Sequence, residues 1–337
     1  MSIINIQNKL ILLKIIIISL LLNIIFLIFI SQNINQYQKM IYSNLKSFSN
    51  SNYEPSKFAI IRRTNCPFCG FFSFYIVHLG CINKYINIGY IPIIDVMSFP
   101  NVFNGFNISQ NNYWELFFNQ PFGYTLKDII KKAKNLKYIE CTGREVMPDP
   151  NYIYYNQMLL NYWHDFAQKY MSIKNKILIE TYIIMKKLFN GSMNILGVKM
   201  RGTDYISSKP AFHPIPPKVE MVILDVQNLY SKYKYDWIFM TTEDEIMKEK
   251  FIKKFRNKIK LYNPKKRINY NYTLGNNIML NKEINGNIDY AKNYLINIII
   301  LSKCIDIVSA RGSGAAGIFI LTKGFRYSLI YNIGDYK

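Results

Sequence analysis

The chain reads Leu196-Gly-Val-Lys-Met-Arg201-Gly-Thr203-Asp204-Tyr205, followed by Ala211-Phe-His213-Pro-Ile215, in the segment that says most about its architecture. The segment begins as a short apolar run, which is typical of a buried strand. It ends in an arginine, a glycine, a hydroxyl and a carboxylate, and open α/β sheets place their ligand sites where strands end. The guanidinium offers a planar fork of donors that suits a diphosphate. In the alternative interpretation, Arg201 and Asp204 only pair to hold a loop.

The same segment resembles the signature of the inverting α1,6-fucosyltransferase and nodulation fucosyltransferase superfamily, an Arg-x-Thr-Asp core followed by Ala-Phe-His-Pro-Ile. The match runs without gaps over residues 196–215 and more loosely over residues 195–335. The resemblance implies an α/β protein with two Rossmann-like domains, the GT-B architecture. It makes Arg201, Asp204 and His213 the candidate catalytic residues, and it places Thr203 beside the donor.

The sequence also departs from that signature, which usually reads His-x-Arg-Arg-x-Asp-Lys. Here Lys199 takes the place of the histidine, Gly202 that of the second arginine and Tyr205 that of the lysine. The position of a glutamate proposed as base in the α1,6-fucosyltransferases is Lys209, and a family aspartate falls on Asn297.

Composition limits the partners. The chain has 42 Lys and Arg against 21 Asp and Glu, a net charge of +21 that favours an anionic partner. No nucleic-acid-binding motif is visible, so we expect no nucleic acid partner. The charge is diffuse, and basicity alone indicates nothing more specific.

The N-terminus predicts a membrane anchor. Residues 10–30 are almost wholly apolar, which is long enough to span a hydrocarbon core. A cleaved signal peptide is the alternative, but no small-residue cleavage site follows. Lys9 and Lys14 predict a single-pass protein with a cytoplasmic N-terminus, in which residues 1–31 form tip and anchor. Residues 32–55 read as a linker that could hold a short amphipathic helix over 34–45.

Residues 56–190 predict the first Rossmann-like domain, on the acceptor side. A strand over 58–61, a helix over 70–79 after a glycine turn and a strand over 89–95 form a β-α-β unit. One or two helices are expected over 158–188, and a domain break near 189–193.

An aromatic and polar loop in this domain suggests an acceptor site. Trp114 could stack on a sugar while Glu115 accepts hydrogen bonds from it. In the alternative interpretation, Trp114 and Phe118 cap the hydrophobic core.

The five cysteines leave the compartment open. Cys66 and Cys69 have the C-x-x-C spacing of a redox pair, but no thioredoxin-like topology follows, and a local disulfide is the alternative.

Residues 191–337 predict the nucleotide-sugar-binding domain. A strand over 237–240 ends in Thr242, Glu243 and Asp244, which take the places of a family threonine and two acids that help hold the donor. In the alternative interpretation, Thr242 caps the helix that follows.

A glycine-rich turn follows the next buried strand, over 305–309. The resemblance places Gly312 and Ser313 at a donor-binding serine pair, Arg311 adds a cation, and Gly314 allows close approach of a diphosphate. The glycines literally match G-x-G-x-x-G, and Asp335 follows, so a nicotinamide-dependent oxidoreductase is the rival. That fingerprint belongs to a first βαβ unit, whereas here it lies in the last.

These features together predict a membrane-anchored glycosyltransferase that transfers fucose or a related sugar from a GDP-type donor, such as GDP-fucose, to a glycan acceptor. No cofactor is expected, and no metal is required where arginine neutralises the diphosphate. The alternative is a catalytically degenerate membrane protein that binds a nucleotide or a glycan.

Overall fold

The computed structural model describes residues 57–67, 69–105, 107–132, 136–142, 147–149, 152–207, 209–262 and 287–337, without the side chains of Lys132, Thr203 and Asp204. The predicted anchor and linker, residues 1–31 and 32–55, lie outside the described residues. Within the ranges just given, no helix is both long enough and apolar enough to cross a membrane. Residues 57–337 form one compact unit that contains two parallel sheets.

The N-terminal sheet has the strand order β2-β1-β3, and both pairings are parallel. Its strands are β1 (Phe58–Arg62), β2 (Ile91–Ile94) and β3 (Leu136–Glu140). The helices beside it are α1 (Phe71–Asn87), α2 (Trp114–Phe117) and α3 (Leu126–Lys132). The predicted β-α-β unit is therefore present, and α1 extends well beyond the predicted helix.

Two helices connect the sheets, α4 (Gln157–Tyr170) and α5 (Asn175–Phe189). Helix α5 ends where Asn190 and Gly191 adopt φ values of 51° and 80°. A left-handed residue of this kind is a common helix terminator. This turn coincides with the domain break expected near 189–193, and the division into two domains stays a prediction.

The C-terminal sheet has the strand order β6-β5-β4-β7-β8, again with every pairing parallel. The strands are β4 (Ile195–Lys199), β5 (Trp237–Thr241), β6 (Ile259–Lys260), β7 (Asp306–Ala310) and β8 (Tyr327–Tyr331). The helices are α6 (Thr203–Ser207), α7 (Val219–Tyr233), α8 (Glu245–Phe255), α9 (Ile288–Ser302) and α10 (Ser313–Leu321). The strands β4 and β7 are almost wholly buried, as is usual in parallel sheets that are covered on both faces, and β7 buries Asp306 and Ser309 among its apolar residues.

Helix α10, beside the C-terminal sheet, packs against helix α1, beside the N-terminal sheet. The Phe72 ring lies where a Cβ of Gly317 would be, so glycine is required for this close approach. Gly314 and Gly317 lie within α10 and are helical, whereas the sequence predicted a turn over the whole glycine segment. The last strand also begins and ends two residues before the predicted range of 329–333.

The cysteine pairs are disulfides. Cys66 bonds to Cys69 at the start of α1, and Cys81 bonds to Cys141 after β3, while Cys304 is a buried thiol. The structure thus agrees with the local disulfide that the sequence left open for Cys66 and Cys69.

Candidate functional site

The strands β5, β4 and β7 are neighbours and end at the same edge of the C-terminal sheet. Lys199 at the end of β4 is in register with Thr241 of β5 and Ser309 of β7. The residues that follow each strand are therefore brought together, as the strand-end rule for parallel sheets predicts.

Arg201 lies at this edge and is partly exposed, with 28% of its side chain accessible. Its Nε lies 3.5 Å from Oε1 of Glu243, and its guanidinium stands 4.0 Å from the ring centroid of Tyr205. The pairing holds the guanidinium at the strand ends while leaving part of it open to a ligand. Asp204 and Thr203 belong to the backbone of α6, and their side chains lie outside the described part of the chain.

Lys199 joins the site without having been predicted as a site residue. Its Cε and Nζ lie 2.8 Å and 3.2 Å from the position that a Cβ of Gly314 would take, at the first turn of α10. Burial of the ammonium lowers the pKa of Lys199 to about 8, while the Glu243 carboxylate raises it and the Arg201 guanidinium lowers it. The signals in the sequence are a lysine that closes an apolar strand and its position where the resembling signature has a histidine.

The glycine turn presents the N-terminus of α10 to the same edge. Gly312 has a φ of 142°, a conformation that favours glycine. The Tyr154 hydroxyl donates to the Gly312 carbonyl at 3.0 Å and accepts from the Gly312 N–H at 3.3 Å. Because the first N–H groups of a helix lack intrahelical partners, this helix start suits an anion. Ser313 is the first residue of the helix.

Gly314 lies against two side chains of the protein, and its predicted role at the donor stays a prediction. The space that a side chain would occupy is taken by the Lys199 ammonium end and by the hydroxyl of Tyr294, which is 2.8 Å from the Cβ position. The missing side chain therefore admits a cation of the protein itself.

Removal of the Tyr154 hydroxyl should lower the free energy of unfolding by about 1 kcal/mol, because both backbone groups of Gly312 lose a partly buried partner. Urea denaturation of Tyr154→Phe, monitored by circular dichroism, measures this. The matched control is Tyr155→Phe, since Tyr155 is 68% exposed. Equal stabilities of the two variants would contradict a supporting role for Tyr154.

Residues 242–244, which follow β5, make three different kinds of contact. Asp244, which is 4% exposed, caps α8 by accepting from the Met247 N–H at 3.0 Å. Thr242 instead accepts from the Asp244 N–H at 3.1 Å, so the predicted cap at Thr242 is wrong. A Cβ at Gly202 would lie 2.9 Å from Cγ of Asp244, so a larger residue at this position would meet the Asp244 carboxylate. Glu243 is the residue that turns to Arg201.

His213 lies in a segment that pairs with residues 334–336. The Phe212 N–H donates to the Tyr336 carbonyl at 2.9 Å, and the Tyr336 N–H donates to the His213 carbonyl at 3.0 Å. The exposed His213 ring stands edge-on to Tyr205 at 5.2 Å, which connects it to Arg201 through that ring.

Arg311 follows β7 and forms an ion pair with Asp335. In a dinucleotide-binding fold, Asp335 would accept hydrogen bonds from a ribose. Here its carboxylate instead pairs with Arg311. This arrangement offers no support to the oxidoreductase reading.

Trp114 and Glu115 are not part of this site. Trp114 is 0% exposed, with its ring 4.5 Å from that of Phe118, so no face is accessible to a sugar. Glu115 accepts from the Leu126 N–H at 2.9 Å and from Nε2 of Gln120 at 3.0 Å. The structure therefore disagrees with the acceptor interpretation and agrees with the alternative, in which Trp114 and Phe118 cap the core.

A cleft of about 480 Å³ opens beside Asp244, a size within the usual range of ligand sites. Its walls include Ile206 and Ser207 of α6, Lys218 and Tyr336. Across the described ranges, no three His, Cys, Asp or Glu side chains come together as metal ligands.

No protein-family model matches the chain, and no curated protein matches it either. Several solved structures of fucosyltransferases are similar to it. A NodZ alpha-1,6-fucosyltransferase soaked with GDP-fucose shares 13% identity and covers 79% of this chain and 93% of its own, with a TM-score of 0.47. The fucosyltransferase NodZ from Bradyrhizobium shares 13% identity, with 80% and 94% covered and a TM-score of 0.47. POFUT1 in its apo form shares 8%, with 84% and 100% covered and a TM-score of 0.45. These similarities are weak, and none of them carries a conclusion about the residues at the strand ends.

Proposed function

We propose that the chain is an inverting glycosyltransferase that moves fucose or a related sugar from a GDP-type donor to a glycan acceptor. The observation that carries the proposal is the convergence of Lys199, Arg201 and the first turn of α10 at one edge of the sheet. Two cations beside a helix N-terminus suit a diphosphate. Among reactions that use a diphosphate, we favour sugar transfer because the motif around Arg201 resembles a fucosyltransferase signature.

In the proposed reaction, an acceptor hydroxyl attacks the anomeric carbon as the bond from that carbon to the diphosphate breaks. The bonding electrons pass to the β-phosphate oxygen, the hydroxyl proton passes to solvent water, and a single displacement inverts the configuration. Arg201 stabilises the charge that develops on the leaving group, an electrostatic effect that is usually large. We assign Asp204 to the orientation of Arg201 or the acceptor, and His213 to the acceptor side.

In this proposal Thr203, Glu243, Arg311, Gly312 and Ser313 belong to the donor site. The cations supply the neutralisation for which other transferases use a metal, so no metal or cofactor is required. Residues 10–30 anchor the chain with a cytoplasmic N-terminus.

A catalytically degenerate binding protein is the second candidate. One observation favours it: Gly202 lies against Asp244, so the second arginine of the motif is replaced by a packing contact. Such a protein would keep the diphosphate site and lack turnover.

GDP and GDP-fucose should raise the melting temperature of the purified full-length chain, because a ligand at 100 times its Kd stabilises the folded state by about 2.7 kcal/mol. NAD serves as the matched control for the dinucleotide reading. Release of GDP from GDP-fucose, with and without an oligosaccharide mixture, measures turnover. Stabilisation without turnover would favour the degenerate candidate, and the absence of any shift with GDP would contradict both.

A further inference from the structure

We propose that diphosphate binding at the strand ends is linked to protonation of Lys199, so that the site holds the diphosphate only with the ammonium form of this side chain. The inference rests on the proposed nucleotide-sugar function and adds a pH control to it. It also assigns Lys199 as a direct ligand of the diphosphate.

The position of Lys199 carries the first step. The side chain leaves the last residue of β4 and reaches the first turn of α10, where its Cε and Nζ lie 2.8 Å and 3.2 Å from the Cβ position of Gly314. An anion at this helix start would therefore meet the ammonium. Among the residues that the structure describes, none forms a hydrogen bond or an ion pair with this ammonium.

The charges around the ammonium carry the second step. Arg201 faces it from the loop after β4, Glu243 from the loop after β5, and Tyr294 from α9. Among the described side chains, Glu243 is the acid and Arg201 the second cation whose charges act on Lys199. The positive end of α10 lies beside them, and an incoming diphosphate would add negative charge at this point. Burial raises the pKa of the Tyr294 hydroxyl, so that group stays neutral and does not replace the anion.

The proton balance follows from these positions. In the free protein the pKa of Lys199 is lowered to about 8 by burial, and a bound diphosphate raises it again because an opposite charge favours the ammonium. Below the free value the group is already protonated in both states, so affinity is insensitive to pH. Above that value binding must take up a proton, and affinity falls about tenfold per pH unit.

The test is calorimetric titration of the full-length protein with GDP from pH 7.0 to 9.5 at fixed ionic strength. This range lies above the second phosphate ionisation, near pH 6. Wild-type affinity should be flat to about pH 7.5 and then fall about tenfold per unit. At pH 8.5, two buffers of different ionisation enthalpy should reveal uptake of most of one proton.

Two substitutions isolate the residue. Lys199→Arg keeps its charge throughout this range, so its affinity should be independent of pH and within a few-fold of wild type at pH 7.0. Lys199→Met should bind at least tenfold more weakly at pH 7.0, also without pH dependence. Lys260→Met is the matched control, because Lys260 lies in β6, which β5 separates from β4. This variant should keep the wild-type slope, and melting curves at each pH verify folding.

The outcomes separate the two proposals. Failure of wild-type protein to bind GDP at any pH overturns the proposed function and with it this linkage. Binding with a flat wild-type profile, or with the same slope in Lys199→Arg, overturns the linkage alone.

Discussion

Sugar transfer by Arg201→Lys should be at least about 100-fold slower than by wild type, because one preorganised donor to a developing anion contributes about 2.7–4 kcal/mol to the transition state. Lysine keeps the charge but has no planar fork, so it cannot make two parallel hydrogen bonds to a phosphate. Steady-state rates with GDP-fucose and saturating acceptor measure the effect.

The stability of the same variant should change little. The Arg201 side chain is 28% exposed, and its ion pair with Glu243 has an N–O distance of 3.5 Å. Partly exposed pairs of this kind contribute about 0–1 kcal/mol. Arg256→Lys, at the end of α8, is the matched control and should be normal in both respects. A clear loss of stability with residual activity would show that Arg201 only holds a loop, and near-normal turnover would remove it from catalysis.

Most strands that could be predicted from sequence, such as β4 and β5, are largely buried, whereas β8 was predicted with shifted ends and lies at the edge of its sheet. β4 and β7 are short apolar runs between turn residues, and such runs have a strong local signal. β3 was missed because it lies at the edge of its sheet and only Ile139 of its five residues is buried. β6 has two residues, too short for any pattern, and within the described ranges it pairs only with β5.

The candidate site residues that could be predicted from sequence are those that directly follow a recognisable apolar strand. Arg201 and Glu243 each follow an apolar run, and parallel topology brings such residues together. Lys199 was not predicted as a site residue because its position depends on its contact with Gly314, which lies more than 100 residues away in the chain. The sequence likewise does not show that Asp244 caps α8 and lies against Gly202, and its place in the donor site stays a prediction.

The burial of Trp114 could not be predicted from sequence either, because a tryptophan in a polar loop can face either the solvent or the core. Trp114→Ala should lower the free energy of unfolding by about 3–5 kcal/mol, the usual cost of removing a large buried aromatic side chain. The ring is 0% exposed and stands 4.5 Å from Phe118 and 5.1 Å from His78. Urea denaturation of the variant measures this loss.

The control and the competing result make this prediction specific. Tyr155→Ala removes an aromatic ring that is 68% exposed, and its effect should stay within about 0.5 kcal/mol. If Trp114 contacted the acceptor instead, the variant would keep its stability and show a raised KM for the acceptor alone. A core residue produces the opposite pattern, because the lost contacts destabilise the whole unit while the folded fraction retains its KM.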